Sequence, residues 1–84
     1  MMNLYLISQL VNDDWDTYDS AVVCCATEEQ ARNTSPRNGA LMTQSDWENC
    51  GDWCKAPEAV KVTFLGVADP SVKCGLVCAR FNAG

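Results

Sequence analysis

Apolar and polar positions alternate at the start of the chain, where Leu4, Leu6, Ser8 and Leu10 interleave with Asn3, Tyr5, Ile7 and Gln9. A period of two marks a half-buried strand over residues 3–11. Residues 12–20 (NDDWDTYDS) are turn chemistry, rich in Asp and Asn whose side chains bond their own backbone. The apolar run at 20–26 (SAVVCCA) predicts a second strand, antiparallel to the first across that acidic loop. Thr27-Glu28-Glu29-Gln30 then matches a capping box, with Thr27 as N-cap, Gln30 at N3 and acids where the helix dipole favours them. Ser35-Pro36 and Asn38-Gly39 stop this helix near Asn33. So short a helix is stable only when packed on a sheet.

A second capping box, Ser45-Asp46-Trp47-Glu48, predicts a helix with Trp47, Cys50 and Cys54 on one stripe. Gly51 inside it costs about 1 kcal/mol, and Pro57 closes the segment. Residues 60–68 (VKVTFLGVA) predict a strand with Val60, Val62 and Phe64 on one face. Asp69-Pro70-Ser71 turns the chain, and residues 72–81 (VKCGLVCARF) are expected to pair with that strand as its hairpin partner. The expected fold is α+β, a single domain over residues 1–84. It comprises a small antiparallel sheet of about four strands with one or two short helices on one face.

Size and charge narrow the function. A chain of 84 residues buries a little over ~60% of the surface its unfolded form exposes. The net charge of -5 argues against direct nucleic-acid binding, which needs Lys and Arg in excess, and against electrostatic membrane binding. No run approaches the ~20 apolar residues of a bilayer span. Met1-Met2-Asn3 has no positive charge, and residues 4–10 are too short and polar for a signal sequence, so a cytoplasmic location with reduced thiols is expected.

Six Cys and no His leave few routes to chemistry. Cys50 and Cys54, like Cys74 and Cys78, have three residues between them, within the range zinc sites use. On a strand, however, Cys74 and Cys78 would stand about 13 Å apart, too far to share a metal or a disulfide. They are expected on a core face with Val72 and Leu76. Cys50 and Cys54 are better placed as metal ligands, but need help from Cys24 or Cys25 and from Cys74 or Cys78. Cys25, just before a helix N-terminus, has Glu28 and Glu29 beside it and no His as base, which opposes a nucleophilic role. Asp14-x-Asp16 with Asp19 lacks the Gly and Glu of a calcium loop. The expectation is inert core thiols, no cofactor and no enzymatic activity.

Charge is one-sided. Residues 1–30 hold six acids and no base, whereas the remaining 54 hold five acids against six bases. Trp15 and Tyr18 sit within the acidic stretch, and such aromatics anchor protein interfaces at low entropic cost. Asp13, Asp14, Trp15, Asp16, Tyr18 and Asp19 therefore form the candidate binding surface, suited to a basic partner. Asp46, Glu48 and Asp52 beside Trp47 and Trp53 form a smaller acidic-aromatic patch.

MNLYLISQ (2–9), YDSAVVCCATEEQAR (18–32), VKVTFLGVADPSV (60–72) and FNAG (81–84) resemble an orphan family of small proteins from phages, prophages and their hosts. The blocks cover about half the chain and leave residues 33–59 unmatched. The resemblance implies a mobile-element setting, and as a class such small acidic proteins are similar to anti-CRISPR and other anti-defence inhibitors. It carries no functional residue. The implied activity is that of a non-enzymatic inhibitor that covers a basic nucleic-acid-binding or assembly site on a host protein or nucleoprotein complex. The alternative is a structural or interaction module stabilised by Cys-ligated zinc.

Overall fold

A computed structural model of the chain describes residues 2–11 and 17–82. Its elements are β1 (Asn3–Ser8), β2 (Thr17–Cys25), α1 (Glu28–Arg32), α2 (Gln44–Asn49), a 3-10 turn (Pro57–Ala59), β3 (Lys61–Val67) and β4 (Gly75–Asn82). The four strands form one antiparallel sheet in the order β3-β1-β2-β4. The fold is α+β. Among the described residues no helix is long and apolar enough to cross a membrane.

The predicted hairpin between the last two strands does not form. β3 pairs with β1 and β4 pairs with β2, which puts them at opposite edges. The turn itself is present: Asp69 Oδ1 accepts from Ser71 N–H at 2.9 Å and Ser71 Oγ–H at 2.7 Å. It belongs to a crossing rather than a hairpin. Three interstrand gaps of ~4.8 Å separate the edges, within reach of residues 68–74 at ~3.3 Å each. What favours the crossing is the centre it leaves in place. The apolar strands β1 and β2 each gain a neighbour on either side, so their backbone groups are paired along both edges.

The segment between β2 and β3 covers one sheet face. Tyr5, Ile7, Ala21, Val23 and Cys25 from the sheet meet Ala31, Trp47, Cys50, Trp53, Cys54 and Val60 from that segment. Trp53, 1% exposed, is the largest fully buried side chain. Burying a side chain of this size contributes on the order of 3 kcal/mol. Leu4, Leu6 and Val22, the residues that alternate with this set, face the other way and are half-buried.

α1 starts where predicted. Thr27 Oγ1 accepts from Gln30 N–H at 3.1 Å, while Gln30 Oε1 reaches one residue past the N-cap to accept from Ala26 N–H at 3.0 Å. Arg32 Nη1 donates to Val60 O at 2.6 Å and ties α1 to the entry of β3. α2 starts two residues earlier than predicted. Its box is Thr43 with Asp46, whose carboxylate accepts from Thr43 N–H at 2.8 Å. The helix ends at Asn49, so Cys50 and Cys54 reach the core from its C-cap and from the loop beyond, not along a helical stripe.

Bulges decide which side chains β3 and β4 bury. In β4 the register jumps between Val22↔Cys78 and Val23↔Leu76, leaving Val77 opposite no residue. Leu76 stays on the core side with Val23, and Cys78 moves to the other face with Val22. The expected core face of Val72, Cys74, Leu76 and Cys78 therefore breaks: Leu76 packs on the core, while Cys74 and Cys78 are exposed. Val60, Val62 and Phe64 do share the core side, but Phe64 lies at the sheet edge and is 58% exposed, with its ring edge-on to Tyr5 at 5.8 Å. The loop at 35–41 reaches β4 through Gly39, whose φ is +78° and whose missing Cβ would stand 2.5 Å from Leu76 N.

Candidate functional site

Asp13, Asp14, Trp15 and Asp16 lie outside the described residues. The other two members of the predicted surface, Tyr18 and Asp19, follow Thr17 at the start of β2, inside the stretch expected to be a turn. Tyr18 is fixed by both its backbone groups, since its N–H donates to Asp52 O at 2.7 Å and its carbonyl accepts from Gln9 Nε2 at 2.9 Å. Its ring is half-buried against Phe81, centroids 4.8 Å apart. Tyr18 is thus partly core, with one flank held by the edge strand. Asp19 occupies a bulge between Tyr18↔Phe81 and Ser20↔Arg80. Its carboxylate is 3.6 Å from Arg80 Nε. Arg80 is mostly in water and Asp19 about half so, and such a screened pair contributes ~0–1 kcal/mol.

The bond from Tyr18 to Asp52 joins this end of the sheet to a cleft of about 170 Å³ that the sequence did not reveal. Arg37, Met42, Asp46, Asn49, Asp52 and Trp53 are among its lining residues. Arg37 donates to Asp52 Oδ2 from Nε at 2.9 Å and from Nη2 at 2.5 Å. The hydrogen bond, and then the charge, of Asp52 hold the guanidinium pKa above its ordinary value. Asp46 caps α2, and Glu48 accepts from Gln44 Nε2 at 3.2 Å. Trp47 and Trp53 are buried, so the smaller acidic-aromatic patch offers carboxylates on its surface and keeps its indoles inside.

The thiols of the buried pair are occupied. Cys50 Sγ donates to Cys54 O at 3.1 Å and Cys54 Sγ to Ala56 O at 3.5 Å. Burial pushes the Cys54 thiol up to about 11 and shifts Cys50 in the same direction. Burial also raises Cys25, against a smaller lowering by the Thr27 backbone. These groups are protonated at neutral pH, and a protonated thiol is a poor nucleophile and a poor ligand. Among the described residues, no three Cys, Asp or Glu side chains come together in a way that could hold a metal ion.

Sequence patterning did carry a signal for the second sheet face. Leu4 and Leu6 alternate with Tyr5 and Ile7, and 20–26 is apolar throughout, so both faces of the central strands were bound to be apolar. The cleft had no comparable signal, because it depends on where the loop at 35–42 folds against α2. The chain matches no protein-family model, no curated protein and no solved structure.

Proposed function

We propose that this chain is a non-enzymatic binding protein. It docks an acidic stretch of its chain, Asp13, Asp14, Trp15 and Asp16 followed by Tyr18 and Asp19, on a basic surface of another protein or nucleoprotein. In its specific form the partner is a bacterial defence complex, with a CRISPR effector the first to test, and the bound chain covers a surface that would otherwise hold nucleic acid. That specific form is supported by the resemblance to small phage proteins alone.

The observation that carries the proposal is the distribution of charge. Six acids and no base lie in residues 1–30. Elsewhere four of the five acids have local work: Asp46 caps a helix, Glu48 accepts from Gln44, Asp52 pairs with Arg37, and Asp69 caps a turn. Within the acidic stretch Glu28 pairs with Arg32 and Asp19 with Arg80. Asp13, Asp14 and Asp16 supply the negative charge that a partner would read.

The test is capture of partners from a bacterial host lysate by the parent chain and by a variant with Asp13, Asp14 and Asp16 changed to Lys. Asp19 is kept so that Arg80 retains its counter-ion, and circular dichroism checks the fold. The captured partner should bind the variant about tenfold more weakly or worse, and binding of the parent should fall with added salt. Equal binding by both proteins, independent of salt, would remove this surface from consideration.

A further inference from the structure

The register of the sheet brings together two thiols that the sequence keeps far apart. The last rung between β2 and β4 is Cys24↔Gly75. One residue further, toward the same end of the sheet, stand Cys25 and Cys74, so continuing that register sets them opposite each other. Directly opposed residues of an antiparallel pair have Cα atoms ~4.5–5.5 Å apart, inside the ~4.4–6.8 Å that a disulfide bridges. Alternation agrees. Cys25 lies two residues beyond Val23 and Cys74 two residues before Leu76, and Val23 and Leu76 are partners on the core side. Negative charge on Cys74 also raises the Cys25 pKa, as a smaller influence than burial. Gly75, with φ at +118°, is the residue through which the chain turns from Cys74 into β4.

The other thiols are not placed this way. Cys24 and Cys78 share the opposite face, but their rungs, Cys24↔Gly75 and Val22↔Cys78, make them diagonal neighbours at ~7–8 Å. Cys50 and Cys54 are buried, with their S–H groups donated to backbone carbonyls.

We propose that Cys25 and Cys74 form a cross-strand disulfide when the folded chain meets a small disulfide oxidant such as glutathione disulfide, and that the bond fastens edge strand β4 to the sheet. Cys74 is exposed and Cys25 buried, which sets the order of events. Cys74 loses its proton to water and attacks one sulfur of glutathione disulfide. That S–S bond breaks and one glutathione leaves as thiolate. Cys25 then loses its proton, attacks the Cys74 sulfur of the mixed disulfide and expels the second glutathione. Two protein thiols are oxidised and one glutathione disulfide is reduced to two glutathiones. Cys25 gives up its hydrogen bond to Thr27 O, 3.3 Å long, in the process.

The bond would act on a strand with little else to hold it. Val77, Cys78, Ala79, Arg80 and Phe81 are all exposed, and β4 has a neighbour on one side only. A covalent link at Cys74, one residue before the strand begins, stops fraying from that end.

The experiment incubates reduced, folded protein in glutathione buffers of rising oxidised fraction, blocks the remaining thiols by alkylation, and digests with trypsin without reductant. Mass spectrometry should find peptide 1–32 joined to peptide 74–80, with two hydrogens lost. Each peptide holds two Cys, so variants assign the bond. Cys24→Ala and Cys78→Ala should each keep the link, and Cys25→Ser and Cys74→Ser should each lose it. Cys74 is exposed, so Cys74→Ser keeps its fold even if Cys25→Ser does not. Oxidation should raise the thermal midpoint of the parent and leave that of Cys74→Ser unmoved. Peptides that stay separate at every buffer ratio, a glutathione adduct that never resolves into the link, or a link that survives in Cys74→Ser would each overturn the proposal.

Discussion

Cys50 and Cys54 are separated by three residues, and so are Cys74 and Cys78, yet the first pair is buried and the second exposed. The difference lies in the backbone between them. Residues 50–54 form no regular element, and Trp53 among them fills the space under the sheet, carrying both thiols inward. Residues 74–78 enter an edge strand that a bulge at Val77 twists out of alternation, so that Leu76 alone stays with the core. A β-bulge re-aims every side chain beyond it. Equal spacing along the chain therefore says little about where two side chains end up, unless the element that holds them is regular throughout.

The sharpest way to break this comparison is to truncate the residue that organises each segment. Trp53→Ala removes the plug of the covered face and should cost about 3–5 kcal/mol, a large part of the ~5–15 kcal/mol of an ordinary domain. Val77→Ala, at a site 49% exposed, should cost less than ~0.5 kcal/mol. Urea unfolding followed by circular dichroism measures both, and similar midpoints would show that the covered face has no special hold on the fold.

Alkaline pH should produce the next largest effect, through the buried thiols. Cys54 is raised from 9.0 to about 11, so above pH 9 the unfolded chain ionises this thiol while the folded chain keeps it protonated. The unfolded state then binds fewer protons, and stability falls as pH rises from 9 to about 11. Cys25 and Cys50 are shifted the same way and add to the slope. Thermal midpoints across that window should drop in the parent and drop less in Cys54→Ala. The smallest effect on stability is expected from alkylating the reduced native protein at neutral pH. Cys74 and Cys78 should react, the other four should wait for denaturant, and the unfolding midpoint should barely move. Rapid modification of Cys50 or Cys54 in the native state would erase the distinction.

The elements themselves were legible wherever local chemistry decides them. β1 and β2 follow from apolar periodicity, their antiparallel pairing from the polar stretch between them, and α1 from Thr27 and Gln30. The start of α2 was misplaced because two overlapping boxes compete, and Thr43 with Asp46 closes both capping bonds. The partner of β4 could not be read from the turn at Asp69, since a tight turn fixes local direction and not which strand lies beside the next one. The exposure of Cys78 could not be read either, because a bulge is set by the fit of two strands and leaves no mark on one. Of the candidate surface, Tyr18 and Asp19 lie on β2, not in the turn expected over 12–20, because the strand begins at Thr17 where pairing with β4 extends it. The stacking of Tyr18 on Phe81 and the pairing of Asp19 with Arg80 both depend on β4, which the sequence places beside β3 and the structure beside β2.

The strand order also bears on how the protein emerges from a ribosome. The two inner strands are synthesised first and the two outer ones last, so the sheet is assembled outward from its middle. Until residues 75–82 have left the exit tunnel, the free edge of β2 offers unpaired amides and carbonyls along an apolar strand. Nascent chains stalled or cut short before that point would be the aggregating species, and a chaperone that caps exposed strands would be needed for only that brief interval.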